Sequence, residues 1–405
     1  MMNIPNSFRS HTEDYLTLPV LKTFGHANKL DTTEDKYELI DSIQKFANIN
    51  AENEEKVLQW LDDILKEGTK HIFIQKAIIA RNITREKEYW VDLIKKGFNY
   101  NRYNYLAKSV SVNYFKLQSY KLVLNGEGVI NSINFIFTIL LHETKGADLT
   151  PDKIIYPIFL DLDLDNGYIT GRCKSKANVY KIVSEASSDR EGERVTAFNI
   201  FKELNEYTKR IMGYSFETKD RSVHRFKSKL YTILDTCTKT PIEINSKLIS
   251  QKKTIEEFIL EFMGKFNIDI AMNNNFNYAY ADLHNFMEKY ISINYEDKSI
   301  FTKDRFAYPV KISATDTDLA SVEETSYDYK PLQSSPVFYD NKKIIEREKK
   351  CDSFSLMFIR EKKTYFTSKP YMVKFDIKQG FCVLQFSSYV LEEEIQNVLS
   401  KIIGN

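Results

Sequence analysis

The chain is expected to fold as an α+β protein: a central antiparallel sheet with helices on one face, an N-terminal helical segment, and a C-terminal strand-rich unit closed by a helix. Three observations lead there. Apolar residues recur at three-and-four spacing before residue 70 and again after residue 187. Alternating β-branched and aromatic residues dominate the region between. Two dipeptides suited to tight turns, Asn166-Gly167 and Gln379-Gly380, each separate runs whose apolar residues alternate. The implied boundaries are 1–70 helical, 71–186 β-rich, 187–313 mainly helical, 314–336 a polar linker or long loop, and 337–405 an α+β unit.

In the first segment, Tyr37, Leu39, Ile40 and Ile43 precede Val57, Leu58, Leu61, Ile64 and Leu65, and Gly68 closes the pattern. HIFIQKAII, SVSVNYFKLQSYKLVL and INSINFIFTILL then read as strands, with a Gly-Glu-Gly turn before the last. In PIFLDLDLDNGYITGRC, residues 157–173, Ile158, Leu160, Leu162 and Leu164 share one face and Asp161, Asp163 and Asp165 the other. A two-residue turn at Asn166-Gly167 pairs Asp165 with Tyr168 and Asp161 with Arg172, leaving the aspartates on a wet face. Ser188 and Glu191 have capping-box spacing ahead of the stripe Val195, Phe198, Phe201, Leu204, Tyr207 and Ile211, which ends at Gly213. Further helices carry Val223 to Cys237 and Thr254 to Phe266. SFSLMFI, TYFTS, MVKFDI and FCVLQF are strands, and Leu391, Ile395, Val398, Leu399 and Ile402 line a final helix.

Composition narrows the function. Lys and Arg total 57 against 56 Asp and Glu, a net charge of +1, so any polyanion site must be a local patch. Four scattered cysteines without a CxxC pair argue against structural zinc and for free thiols in a reducing, cytoplasmic setting. The longest apolar run, Phe135 to Leu141, is too short to span a bilayer, and the N-terminus lacks a signal-peptide pattern. Usage rich in Asn, Lys, Ile and Tyr suits an AT-rich bacterium. No P-loop, GxGxxG, GxSxG or HExxH occurs, so no cofactor or metal is assigned.

The best local case for a ligand is residues 95–121. Lys95, Lys96, Arg102, Lys108, Lys116 and Lys121 lie there with no acid between Asp92 and Glu127, interleaved with tyrosines that include Tyr103 and Tyr105. Cations neutralise phosphates and flat rings stack on unpaired bases, so the window reads as a nucleic-acid surface. Arg172, Lys174, Lys176 and Lys181 form a second patch, and Arg221, Arg225, Lys227 and Lys229 a third. A non-catalytic DNA-binding or adaptor component of a multi-protein assembly, such as a bacterial phage-defence system, is the resulting expectation. Nucleic acid and a protein are its partners.

Several stretches resemble known families. LPVLKTFGHANKLDTTEDKYELIDSI, residues 18–43, resembles the SAP and HeH helix–extended–helix modules, which implies DNA binding. FLDLD resembles the nucleophile strand of haloacid-dehalogenase-like phosphatases, and its DxD spacing resembles the metal-binding pair of glycosyltransferases; both need a parallel strand ending at a crevice. Glu143-x-Lys145 at a strand end, with Glu127 as the further acid, resembles PD-(D/E)xK nucleases. That alternative implies Mg²⁺ held by the carboxylates and a lysine that polarises water. A third alternative is a protein-interaction scaffold docking through residues 314–336 and the C-terminal unit.

Overall fold

A computed structural model describes residues 2–9, 15–80, 84–109, 112–144, 152–182, 192–315, 321–360 and 369–404. The protein is α+β, with twelve α-helices and thirteen strands among the described residues. No helix among these residues is long and apolar enough to cross a membrane. The chain divides into two compact units, the first comprising residues 1–223, 361–371 and 378–405, the second 224–360 and 372–377.

The first unit begins with α1 (Asn6–Arg9), α2 (Leu18–Ala27), α3 (Lys36–Ala47) and α4 (Ala51–Ile64). Residues 28–35, between α2 and α3, are non-helical. Asp35 caps α3 by accepting the Tyr37 and Glu38 amides, and Asn50 caps α4 by accepting that of Asn53. The sheet follows: β1 (His71–Ile78), then α5 (Lys87–Gly97), β2 (Lys116–Leu124), β3 (Ile130–Glu143), β4 (Asp152–Asp163), β5 (Tyr168–Cys173), β6 (Val179–Lys181) and β7 (Arg194–Val195). Next come α6 (Ala197–Met212), β8 (Ser215–Phe216) and the start of α7 (Lys219–Thr238); β13 (Phe381–Phe386) and α12 (Glu392–Ile403) complete the unit. The strand order is β13-β1-β5-β4-β3-β6-β7, with β2 also on β3 and β8 also on β1. Both neighbours of β4, β3 and β5, run antiparallel to it, so the parallel crevice that a phosphatase or glycosyltransferase strand needs is not built here.

Alternation sorts the sheet's side chains. Ile133, Phe135, Phe137, Ile158 and Leu160 face α5 and α6, where Trp90, Ile94, Phe198, Phe201 and Leu204 complete one core. Ile136, Ile155 and Phe159 point the other way, into a second core built by α1 to α4. Helices therefore cover one face, as the pattern predicts, and the N-terminal helical segment covers part of the other. α6 starts at Thr196, whose hydroxyl accepts the Asn199 amide, and stops at left-handed Gly213. The expected cap, Ser188 with Glu191, lies outside the described residues, as does the TYFTS strand.

The hairpin at Asn166-Gly167 forms in a different register from the expected one. Asp163, not Asp165, opposes Tyr168, and Phe159, not Asp161, opposes Arg172, so residues 164–167 make a longer loop. The reason is the Asp163 carboxylate, which accepts the Asp165 and Asn166 amides at 2.9 and 2.8 Å and opens the turn two residues early. A shift by two keeps every side chain on its face. At Gln379-Gly380 both residues take positive φ, 53° and 89°, as a two-residue turn requires.

The second unit contains α7 from residue 224, α8 (Ile242–Ser250), α9 (Lys252–Lys265), α10 (Asn275–Ile293), β9 (Ala307–Thr315), β10 (Ser321–Thr325), α11 (Pro336–Glu348), β11 (Ser353–Phe358) and most of β12 (Tyr371–Lys378). Its strand order is β10-β9-β11-β12. Within residues 314–336, β10 pairs antiparallel with β9 and Leu332–Ser334 forms a 3₁₀ turn. The four cysteines are free and buried.

Gly171 on β5 lets α6 approach: a Cβ there would sit 1.9 Å from the Phe201 ring. Gly171→Ala is expected to lower stability by about 1–3 kcal/mol in urea unfolding, and Phe201→Leu in the same chain should recover part of the loss.

Candidate functional site

On the face of the first sheet turned toward α4, a cleft of about 400 Å³ opens between strands and helices. Its floor is a cross-strand row, Lys121 on β2, Asn134 on β3 and Asp161 on β4. The next row is Ser119, Ile136, Phe159 and Arg172. Asp62, Asp63 and Lys66 from the end of α4 and Glu392 from the start of α12 form the walls.

Arg172 is the centre of this arrangement. It is 2% exposed and donates to both Glu392 carboxylate oxygens, with Asp161 3.9 Å away and the Lys66 carbonyl at 3.4 Å. Burial pushes the Asp161 carboxyl up, against Arg172 and the Asn134 amide that donates to it at 2.6 Å. Burial works to raise Glu392 too, but there Arg172 wins and its pKa is lowered. Asp62, buried in an otherwise apolar stripe of α4, is raised by desolvation while accepting the Leu106 amide and the Tyr103 hydroxyl. Counting Asp62, Asp63, Asp161 and Glu392 against Lys66, Lys121 and Arg172, the lining carries one more acid than base.

The sequence-derived residues separate into two groups. Tyr103, Lys121 and Arg172 converge on the cleft. Lys116 joins them on that face because Gln118 bulges out of β2, so that Lys116 and Lys121, five residues apart, oppose Thr138 and Asn134 on the same side of β3. Lys95, Lys96 and Arg102 are exposed elsewhere, on α5 and the loop after it. Lys108 pairs with Glu54 at 2.8 Å, and the Tyr105 hydroxyl donates to Glu55 at 3.3 Å. Lys174 and Lys176 are buried: the first lies 4.9 Å from the Tyr15 ring centroid, the second pairs with Glu143 at 2.8 Å. Neither can reach a phosphate backbone, so of the second basic patch only Lys181 is partly exposed, and it pairs with Glu203 at 2.5 Å.

The acidic ladder is likewise committed to the protein itself. Asp161 serves Arg172, Asp163 holds the turn, and Asp165 pairs with Arg85 at 2.8 Å. For the nuclease alternative, Glu127 sits in the turn before β3 and Glu143 at its far end; β3 has 14 residues, a span of about 45 Å. They cannot share an ion, and Lys145 lies outside the described residues. No group of three or more His, Cys, Asp or Glu is placed to hold a metal among the described residues.

Sequence reasoning missed Asp62, Asn134, Glu392 and Lys70. A carboxylate inside the α4 stripe and an amide within β3 were the available signals; Glu392 is hidden in an ordinary acidic first turn. Lys70, fully buried beside Lys174 and Arg172, has a pKa well below 10.5, first through desolvation and then through those two charges.

A lysine with a depressed folded pKa takes up a proton on unfolding, so stability rises with pH between that pKa and its unfolded 10.5. Lys70→Met should therefore melt higher than wild type at pH 7, with the gap closing as the buffer approaches pH 10.5. For the Glu143–Lys176 pair, whose side chains are 5% and 3% exposed, Glu143→Ala strands a buried ammonium and is expected to cost about 3–5 kcal/mol of unfolding free energy. Comparison with family models, with curated proteins and with solved structures found no match for the chain, so the chemistry of the cleft and its rim carries the functional reading.

Proposed function

We propose that this chain is a nucleic-acid-associated protein without catalysis of its own, a binding or adaptor component of a larger assembly, and that a single strand runs past the cleft along the face carrying Lys116 and Lys121. The observation that carries the reading is the shared face of Lys116, Lys121 and Tyr103. Among the described residues β2 pairs as a strand only with β3, and its outer edge is met at Gln118, whose carbonyl accepts the Asn104 amide at 2.9 Å. Among the same residues, no carboxylate pairs with Lys116 or Lys121, nor with Lys95 or Arg102. Such cations exchange small counterions for phosphates at little internal cost. Tyr103 is anchored through its hydroxyl to Asp62 while its ring stays half exposed, a geometry suited to stacking on an unpaired base.

The cleft itself is a poor phosphate site, because its carboxylates outnumber its cations. Phosphates of a bound strand therefore lie outside it, on Lys116 and Lys121. The order of α2, the non-helical residues 28–35 and α3 is a second support, in line with the SAP and HeH resemblance.

Fluorescence anisotropy with labelled single-stranded DNA, single-stranded RNA and duplex DNA, at low and at physiological salt, tests the proposal. Single strands are expected to bind best. Lys116→Glu combined with Lys121→Glu should weaken them at least roughly tenfold and flatten the logarithmic salt slope by about 1.4, since each phosphate on a single strand contributes about 0.7. Absence of binding to all three ligands at low salt would overturn it.

A further inference from the structure

We infer that the second unit pairs with a second copy of this chain through α9. Phe258, Phe262 and Phe266 recur at four-residue spacing and form one stripe along the helix, yet they are 56%, 46% and 65% exposed. Their rings stack on one another, with centroids 6.3 Å apart for Phe258 and Phe262 and 4.8 Å for Phe262 and Phe266. The helix is already anchored without them, because Ile255, Ile259 and Met263 bury its other apolar stripe against α10. Three large rings kept in water on a folded helix mark a contact surface.

Charge selects the occupant. Immediately beside the stripe, Glu261 and Lys265 form an exposed pair at 2.5 Å, an acid followed four residues later by a base. When two such helices run antiparallel about a two-fold axis at Phe262, Phe262 meets its own copy and Phe258 meets Phe266 of the other chain. The same operation brings the charged flanks together, setting Lys265 of each copy within about one helical turn of Glu261 in the other. The stripe and its flank are thus complementary to themselves reversed, and the opposed helix dipoles favour the same direction. Three half-exposed rings provide about 300 Å² where a standard interface takes about 800 Å² per partner. The dimer is accordingly weak and concentration-dependent.

Sedimentation velocity of the full chain over a concentration series is the test. The wild type is expected to shift from monomer toward dimer as concentration rises, and Phe262→Glu to remain monomeric throughout. Lys265→Glu should weaken the dimer by roughly five- to tenfold by setting acids against acids, and adding Glu261→Lys to it should restore assembly. The charge exchange leaves Phe262 in place, so it probes the same contact even where Phe262→Glu fails to fold. A wild type that stays monomeric across the series, a dimer indifferent to Phe262→Glu, or a charge exchange that fails to restore what Lys265→Glu removes would each overturn the inference.

Discussion

The pairing of β3 with β4 governs the first unit. From Ser132 opposite Asp163 to Glu143 opposite Asp152 it runs without a slip. Because side chains alternate, that register decides in one stroke which residues meet α5 and α6 and which meet α1 to α4. Phe135 and Phe137 are buried in one core while Asn134 and Thr138 point to the other side. A slip by one residue would exchange the two sets, placing amides in a hydrocarbon core and phenyl rings in a polar cleft. With one face buried and the other partly covered, a slip would be penalised on both sides of the sheet, which specifies the register strongly.

Covering both faces, one fully and one in part, turns several charges inward. Arg172, Lys176, Glu143 and Asp62 are all buried polar groups on or against this sheet. Each has a partner of opposite charge or a hydrogen-bonded dipole, because an isolated buried ion would cost several kcal/mol. These interactions orient elements distant in sequence: Arg172 links β5 to α12, and Asp62 links α4 to the loop before β2. The pairs serve to specify arrangement more than to add stability, since buried ion pairs rarely outdo apolar packing. Cations without such partners remain at the rim of the cleft and on α5, where solvent screens them and a polyanion can replace the solvent.

In the second unit α8 and α9 bury modest apolar clusters, Ile244 with Leu248, Ile300 and Phe301 and Ile255 with Ile259 and Met263, while Phe258, Phe262 and Phe266 on α9 stay exposed. In α9 the buried and exposed stripes adjoin, so the helix is apolar over more of its circumference than its own unit covers. That excess follows from composition rather than from any strained backbone, and it is the feature that association with another helix relieves.

Local patterning determined much of this protein. The α+β class, the antiparallel hairpins, the helices over 18–64, 197–212 and 392–403, and the inward stripes all follow from periodicity and turn chemistry that neighbouring residues carry. Where the sequence reading and the molecule part, packing or a side chain's own hydrogen bonds intervene. The Asp163 carboxylate moved the hairpin register, the N-terminal helices covered a face expected to be wet, and Glu143 and Glu392 drew Lys176 and Arg172 into the interior. The bulge at Gln118 put Lys116 and Lys121 on the same side, which strict alternation would forbid. Spacing along the chain records which face a side chain takes within its own element; only packing between elements decides whether that face meets water, and hence whether a charge is a binding group or half of a buried pair.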